Sequence, residues 1–304
     1  MEVVFAAIAA LVAVLAVWGL VFWAHKATRD RSAFVGLYLL LGIPGTLLIV
    51  AGIAYLSFGK PNGFIFLAAG LSCVMPLFKQ LRQFVAQFTP LDPMSPLDMC
   101  GLAIVFLIFT FGGATLALEP TPSSEDVSLA EVFVQALAEI GIAFAAVGLW
   151  IYRTPRQATD RLGLVRLTVK LASVAAGFLI LALIMNAVGV QLMHYLQPGV
   201  VDDYERVLKE TASGSHNPIA ALIFGLSAGV GEELVFRGVL QPRFGLVVTA
   251  MLFTAVHVQY GATFILLGIF GSGLVLGFER KHFGTTACIL THMMVDTLAA
   301  LLSS

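Results

Sequence analysis

Hydrophobic residues occur in this chain in long runs that are separated by short polar segments. About ten runs are long enough to cross a hydrocarbon core of about 30 Å as α-helices. They cover residues 3–24, 34–58, 63–78, 97–118, 129–152, 171–193, 219–241, 244–260, 262–278 and 285–302. The pattern therefore predicts an all-α fold, a polytopic transmembrane helical bundle with about ten spans.

The flanks of the first run predict how the chain is oriented. No basic residue precedes residues 3–24, whereas Lys26, Arg29 and Arg31 follow soon after. The run is too long for the hydrophobic region of a cleavable signal peptide, so we expect a retained span with its N-terminus outside. Of the 17 Lys and Arg residues, 13 fall in loops assigned to the inside and 3 in loops assigned to the outside. This bias supports the alternation, and the compact loops favour a bacterial cytoplasmic membrane.

Two shorter segments repeat apolar residues at helical spacing without being long enough to span a membrane. Residues 79–88 carry such a pattern on the predicted inner side, and we expect a helix lying in the membrane interface there. Residues 201–211 carry it on the outer side, where a helix can cover the bundle. A solvated connector is the alternative for each segment.

The composition agrees with a membrane protein, because 59% of the 304 residues are hydrophobic and only 12% are charged. The mean hydropathy is +0.94. The net charge of −1 argues neither for nor against a nucleic-acid partner. No basic patch with interleaved aromatic residues occurs outside the short loops, and this excludes such a partner. Cys73, Cys100 and Cys288 lie in apolar stretches without paired spacing, so we expect neither a disulfide framework nor a thiolate metal site.

A basic linker, residues 153–170, divides the chain into two predicted domains. Residues 1–155 form a five-span module with few charges inside its runs, and its role is not indicated by the sequence. Its exceptions are Glu131 and Glu139, of which we expect Glu139 to pack inward against a polar partner. Residues 156–304 carry the candidate chemistry.

The run 219–241 contains three charged residues in apolar surroundings. A charge near the bilayer centre costs at least about 2.5 kcal/mol, so such groups normally face a protein interior or a wet cavity. Glu233 and Arg237 are spaced i, i+4 and can form an ion pair on one helix face. Adjacent helical residues point about 100° apart, so Glu232 is turned away and can face a cavity as a general base. The alternative is a structural polar cluster that holds helices together.

Two later runs add histidines and a further carboxylate. His257 follows Phe253 by four residues, and His292 precedes Asp296 by four, so that this carboxylate can orient the imidazole or share a ligand with it. Glu232, His257 and His292 lie at depths of about 14, 20 and 11 Å from the inner ends of their runs, at about 1.5 Å per residue. We therefore expect one membrane-embedded polar cavity that opens toward the cytoplasm.

Three motifs in this order resemble the CPBP family of intramembrane proteases, which includes the CAAX-prenyl endopeptidases and bacterial homologues linked to bacteriocin processing and immunity. They are EELVFR at residues 232–237, FTAVH at residues 253–257 and HMMVD at residues 292–296. The basic linker, ending in RLGLVR, is similar to the family's lead-in to its catalytic domain. The resemblance covers roughly residues 160–304 and leaves the first five spans unexplained.

The resemblance implies a peptidase and a role for each motif residue. Glu232 would activate a water, and His257 would help to hold it. His292 and Asp296 would polarise the scissile carbonyl and stabilise the oxyanion. Where the family often has Asn, this chain has Asp296, which cannot donate a hydrogen bond when ionised; it would be protonated, orient His292 or help to bind a cation. The residues with supporting roles would be Glu233, Arg237 and Phe253.

The predicted function is an intramembrane endopeptidase that hydrolyses a membrane-associated peptide or protein within the lipid bilayer, without a cofactor. A Zn²⁺ enzyme is the alternative, with ligands drawn from Glu232, His257, His292 and Asp296. A second alternative is a non-catalytic membrane protein that binds a peptide or lipid in immunity or scaffolding. A third, a transporter with buried acids that relay protons, ranks last because the first half lacks an equivalent set.

Overall fold

The computed structural model describes residues 2–123, 128–211 and 217–303, which form thirteen α-helices and no β-strand. The predicted all-α fold is therefore confirmed. The helices are α1 (Glu2–Lys26), α2 (Arg31–Ser57), α3 (Gly63–Val74), α4 (Lys79–Val85), α5 (Pro96–Leu118), α6 (Leu129–Ala146), α7 (Pro155–Leu162), α8 (Val169–Leu196), α9 (Val201–Thr211), α10 (Pro218–Glu233), α11 (Gln241–Ala255), α12 (Ile265–Phe283) and α13 (Thr285–Ser303). A π-helix, Leu234–Leu240, joins α10 to α11.

Seven helices within the described residues are long and apolar enough to cross a membrane. The number reaches eight if the bent pair at residues 63–77 and 79–85 is one span. Two features explain why even eight spans fall short of the expected ten. Helix α12 carries charged and basic residues in its last turns, and α10 runs through the π-helix into α11 as one segment of 38 residues. The prediction of about ten spans therefore remains a prediction.

The 38-residue segment is broken inside α11. A straight helix of that length would measure about 57 Å, nearly twice a hydrocarbon core of about 30 Å. Gly245 has φ 78° and ψ 173° there, a conformation that residues with a Cβ rarely adopt. The chain can therefore change direction at Gly245.

The chain divides into two compact units, Met1–Trp18 with Glu119–Ser304, and Gly19–Leu118. In the first unit α6 packs against α10, although the sequence grouped α6 with the N-terminal module. Compact packing and functional assignment are separate properties, so the predicted domain boundary after residue 155 remains a prediction.

In the second unit, α3 packs against α2 and α5, and α4 is bent by 90° from residues 63–77. Buried Arg82 fixes this corner by donating to the carbonyl oxygens of Pro93 at 2.8 Å and Leu77 at 3.0 Å. Phe84 on α4 and Phe88 just after it are 57% and 73% exposed. The predicted helix at residues 79–88 is thus present as the shorter α4, and its position in the membrane interface remains a prediction.

In the first unit, α10 packs against α13 and α6, while α12 packs against α8 and α11. Small residues allow the close approach of α10 and α13, as is common between membrane helices. A Cβ at Gly225 would lie 2.6 Å from the Met293 carbonyl oxygen, and one at Gly229 would lie 2.9 Å from the Met293 nitrogen. Helix α9 has the bounds that the sequence predicted and contacts α13.

Candidate active site

The first motif lies at the end of α10 and in the π-helix that follows, the second lies at the end of α11, and the third lies in the middle of α13. Glu232 and Glu233 end α10, and Arg237 lies in the π-helix that follows. A π-helix widens the turn locally and occurs often at functional sites. His257 lies just after α11, and His292 lies in the middle of α13.

Glu233 and Arg237 form the ion pair that their spacing predicted. Arg237 Nη1 lies 3.0 Å from Glu233 Oε1, and the two side chains are 1% and 0% exposed. The Arg237 guanidinium also lies 4.4 Å above the ring centre of Phe253. A buried charge without a partner is strongly destabilising, so this pairing holds both charges in place. Phe253 and the pair together connect α10, the π-helix and α11.

His292 is fixed from two sides by carboxylates. Its Nδ1 lies 2.8 Å from Glu233 Oε1, and its Nε2 lies 3.3 Å from Asp296 Oδ2. The contact with Asp296 is the predicted i, i+4 pair. The contact with Glu233 joins α13 to α10, and spacing along the chain could not predict it. Asp296 thus meets the imidazole, which is one of the roles that the sequence left open for it.

His257 is held by the backbone of its own helix. Its Nδ1 lies 2.6 Å from the carbonyl oxygen of Phe253, four residues earlier. Since a carbonyl oxygen only accepts, Nδ1 is the nitrogen that carries the hydrogen. In the neutral ring Nε2 is then an acceptor. The ring also packs on Phe253, with centroids 4.6 Å apart.

Glu232 lines a cavity of about 130 Å³, here called the small cavity, together with His257, His292 and Asp296. Its Oε2 is buried and has no hydrogen-bond partner among the described residues. The four candidate catalytic residues therefore surround one space, and Glu232 is turned away from the ion pair as its position beside Glu233 predicted.

The small cavity adjoins two larger spaces. One, of about 380 Å³ and here called the apolar cavity, shares His257, His292 and Asp296 with it and extends along α8 and α12. The other, of about 290 Å³ and here called the Glu139 cavity, shares Glu232 with it and reaches α6. Glu232 therefore lies between the Glu139 cavity and the small cavity, which His257 and His292 line.

Glu139 packs against Gly231 of α10, while its polar partner, the exposed Gln135, lies on its own helix. Glu139 Oε1 accepts a hydrogen bond of 2.9 Å from Gln135, and a Cβ at Gly231 would lie 3.1 Å from the Glu139 Cβ. Glu131, by contrast, forms a capping box with Ser128 at the start of α6. The N-terminal half of the chain therefore contributes a carboxyl group beside Glu232.

Sequence reasoning missed Glu279, which is 0% exposed and accepts a hydrogen bond of 2.9 Å from Thr291. It was missed because the predicted span ended at residue 278, whereas α12 continues to Phe283. The basic residues 280–282 are typical of a helix C-terminus and indicate this later end. Tyr260 was also missed; it lies in the short 3₁₀-helix Val258–Tyr260 and lines the small cavity.

The candidate zinc ligands do not form a three-ligand set. Within the described ranges, no three His, Cys, Asp or Glu side chains are grouped so that they could hold a metal ion. His292 illustrates the reason, since both of its ring nitrogens face carboxylate oxygens of Glu233 and Asp296. To bind zinc, His292 would have to give up one of these contacts.

Residues 214–298 match the family model described as "Type II CAAX prenyl endopeptidase Rce1-like". The matched segment contains all three motifs and covers less than a third of the 304 residues. Comparison with curated proteins and with solved structures gave no significant match. With its apolar helices, the chain is an integral multi-pass membrane protein. Through residues 214–298, this chain is similar to the CPBP and CAAX protease family, as the three motifs indicated.

Proposed function

We propose that the chain is an intramembrane endopeptidase in which Glu232 activates a water for attack on a peptide bond. The observation that carries the proposal is the position of Glu232. It shares the small cavity with His257, His292 and Asp296, while the neighbouring Glu233 is occupied by Arg237 and His292. One carboxylate of the double-glutamate motif is thus available for chemistry, and the other is structural.

The free groups of the cavity can hold a water in an orientation for attack. The carboxylate of Glu232 and the Nε2 of neutral His257 are both acceptors, so a water can donate one hydrogen to each. Its oxygen lone pair then remains directed at a carbonyl carbon. Positioning of this kind, together with a general base, supplies a large part of the catalysis in hydrolytic enzymes.

The hydrolysis follows from these positions. Glu232 takes a proton from the water while the water oxygen bonds to the carbonyl carbon, and the carbonyl π electrons move to its oxygen. Collapse of the tetrahedral intermediate breaks the C–N bond, and Glu232 passes its proton to the leaving nitrogen. Asp296 orients His292, which forms a fixed polar wall of the cavity.

Metal-free catalysis is part of the proposal. It is supported by the contacts of His292, whose Nδ1 makes a hydrogen bond of 2.8 Å with Glu233 and whose Nε2 lies 3.3 Å from an Asp296 oxygen. In a zinc enzyme the metal would polarise the carbonyl or the water. The ligands would then come from Glu232, His257, His292 and Asp296, of which no three are grouped for a metal within the described ranges.

The proposed substrate is a membrane-associated peptide or protein segment. The apolar cavity borders the histidines and is walled by α8 and α12, so an apolar segment can reach the small cavity from the bilayer. We further propose that the protein lies in a bacterial cytoplasmic membrane with its N-terminus outside, as the distribution of basic residues indicates.

The test is turnover of a quenched fluorogenic peptide library by protein purified in detergent. Wild type is compared with Glu232→Gln and His257→Ala, each with and without a strong chelator. Glu131→Gln is the matched control, since it removes a carboxylate from the N-terminus of α6, which lies outside the small cavity. We expect turnover by wild type and by the control, loss in both site variants, and no effect of the chelator.

Two results would contradict parts of the proposal. Turnover that the chelator abolishes and zinc restores would contradict metal-free catalysis and favour the zinc alternative. A wild-type protein that is folded, yet cleaves no peptide of the library while binding some of them, would favour the non-catalytic binding protein.

A further inference from the structure

Each turn of the proposed hydrolysis consumes one water, which has to reach Glu232 inside a bundle of apolar helices. Cavities with apolar walls stay dry, whereas a polar cavity of sufficient size binds each water through about three hydrogen bonds. Hydrophobic side chains form most of the wall of the apolar cavity, so that cavity suits an apolar substrate segment better than it suits a water.

The Glu139 cavity has the lining that water needs. It borders Glu232, and its volume of about 290 Å³ is several times the roughly 30 Å³ that a water occupies in the liquid. Six of its ten lining residues have polar side chains. These six are Gln135, Glu139, Thr211, Ser227, Glu232 and Gln259. The cavity therefore has room for several waters and has groups that can bind them.

Ser227 on α10 contributes a buried hydroxyl to this lining. It is 7% exposed, and it has no hydrogen-bond partner among the described residues. Thr249 and Thr254 on α11, by contrast, donate to the carbonyl oxygens four residues earlier. Glu232 Oε2 is likewise buried without a partner in the described part of the chain. Buried polar groups are almost always hydrogen-bonded, so both groups need a partner that the cavity can supply.

Helix α10 also leaves space for the carboxyl group of Glu139, which comes from α6. Glu139 Oε1 accepts the hydrogen bond from Gln135. Glu139 Oε2 lies against Gly231, the residue before Glu232, and a Cβ at Gly231 would overlap it. A carboxyl group in a membrane helix is costly and normally faces a polar partner or a wet cavity. The glycine thus brings a second carboxyl oxygen close to Glu232.

We infer that the Glu139 cavity is a water-binding site that supplies the hydrolytic water to Glu232, with Glu139 and Ser227 among its ligands. Waters there can donate to the carboxyl oxygens and accept from the Ser227 hydroxyl. The inference rests on the proposed function and deepens it, because water and substrate reach Glu232 through different cavities. It also gives α6, which lies outside the matched residues 214–298, a part in the reaction.

The first experiment measures hydration without using activity. In a cysteine-free variant, Ser227→Cys puts a thiol in the Glu139 cavity, and Ala221→Cys puts one on the same helix at a fully buried position outside the three cavities. A thiol reacts as thiolate, whose formation apolar surroundings suppress. We expect a charged methanethiosulfonate reagent to modify Ser227→Cys at least about tenfold faster than Ala221→Cys.

The second experiment measures kcat and KM of Glu139→Leu and Glu139→Gln on the library peptide that wild type cleaves fastest. Leucine removes a water ligand, so we expect kcat to fall about tenfold, with KM within about twofold because the substrate uses the apolar cavity. Glutamine can still bind water, so its kcat should exceed that of Glu139→Leu at least about threefold. Glu131→Gln, outside all three cavities, is the control. Melting temperatures in detergent confirm that each variant is folded.

Three results would overturn the water-binding site while Glu232→Gln stays inactive and the proposed function stands. One is a Glu139→Leu protein with kcat within about twofold of wild type. Another is a Glu139→Gln protein as slow as Glu139→Leu, which would indicate an acid–base role for Glu139 instead. The third is equal labelling of Ser227→Cys and Ala221→Cys. If Glu232→Gln cleaves as fast as wild type, the proposed function fails, and the supply of water to Glu232 fails with it.

Discussion

At the scale of single residues, the site separates two neighbouring glutamates into different tasks. Glu233 is fully buried and is bound by Arg237 and His292, whereas Glu232 faces the small cavity. The separation arises from helix geometry, since adjacent side chains point about 100° apart. Of two adjacent glutamates, Glu233 can therefore stabilise the fold while Glu232 is available for catalysis.

The structural task of Glu233 makes a prediction about stability. Glu233→Gln leaves Arg237 as a buried charge without a carboxylate, and breaking a buried pair in this way costs about 3 to 5 kcal/mol. We expect a matching fall in the free energy of unfolding, measured by SDS titration in mixed micelles. The double change Glu233→Gln with Arg237→Gln should recover part of the loss, because no unpaired charge remains. A double variant less stable than the single one would contradict this view of the pair.

Single residues also show which contacts of the site could be predicted from the sequence. The pairs Glu233–Arg237 and His292–Asp296 could be predicted, because i, i+4 spacing fixes neighbours within a helix. The contact between His292 and Glu233 could not, since it depends on how α13 packs against α10. Glu279 was missed because the predicted span ended at residue 278, whereas α12 continues to Phe283.

At the scale of elements, the close contact of α10 with α13 positions the site, and small residues allow it. Gly229 on α10 faces the Met293 backbone, one residue from His292. A larger side chain here would separate the helix that carries Glu232 from the helix that carries His292.

Gly229→Ala is therefore expected to lower both turnover and the melting temperature in detergent. The added Cβ would lie 2.9 Å from the Met293 nitrogen, which is too close for a carbon atom. Gly177→Ala on α8 is the control, because a Cβ there has no neighbour within 4 Å. Both changes gain up to about 1 kcal/mol of helix propensity, so their difference reports the contact alone. Equal melting temperatures of the two variants would contradict the tight packing.

The π-helix after Glu233 is a second element on which the site depends. Two arginines donate hydrogen bonds to its backbone carbonyl oxygens. Arg161 Nη1 lies 2.9 Å from the Gly238 oxygen, and Arg280 Nε lies 3.0 Å from the Arg237 oxygen. The sequence showed these arginines only as basic loop residues, because a π-helix has no reliable sequence pattern.

Arg161→Gln should destabilise the protein by about 1.5 to 3 kcal/mol, the usual contribution of a hydrogen bond to a charged donor. It should also lower kcat, since the π-helix sets the direction of Glu232. Arg156→Gln is the matched control on the same short helix, where the side chain is exposed. Stability by SDS titration and turnover are measured for both variants. An Arg161→Gln protein indistinguishable from the control would show that the π-helix holds its shape without this donor.

At the scale of the whole molecule, hydrophobic runs predicted an all-helical membrane protein, and their number was the weaker part of the prediction. The basic residues 280–282 indicate the later end of α12, but hydropathy alone does not. The continuation of α10 into α11 through a π-helix depends on backbone geometry that the sequence does not show. The family match covers only residues 214–298, so the motifs do not indicate what the earlier helices do.

The distribution of basic residues predicts the sidedness of the protein. In a cysteine-free variant, a single cysteine at Lys60 lies in a loop assigned to the outside, and one at Gln157 lies in the basic linker assigned to the inside. A membrane-impermeant maleimide applied to intact cells should label position 60 and not position 157, with both labelled after lysis. The opposite pattern would reverse the proposed topology and place the N-terminus inside.

The most direct test of the central claim is the cleavage rate of Glu232→Gln relative to wild type, on the best peptide of the library and with both proteins equally folded. Gln keeps the shape of the side chain and removes the base, and a general base contributes about 10²- to 10⁴-fold to rate. We expect a loss of at least about 10²-fold, with the rate of Glu131→Gln unchanged. A Glu232→Gln enzyme that cleaves at the wild-type rate would show that Glu232 is not the base.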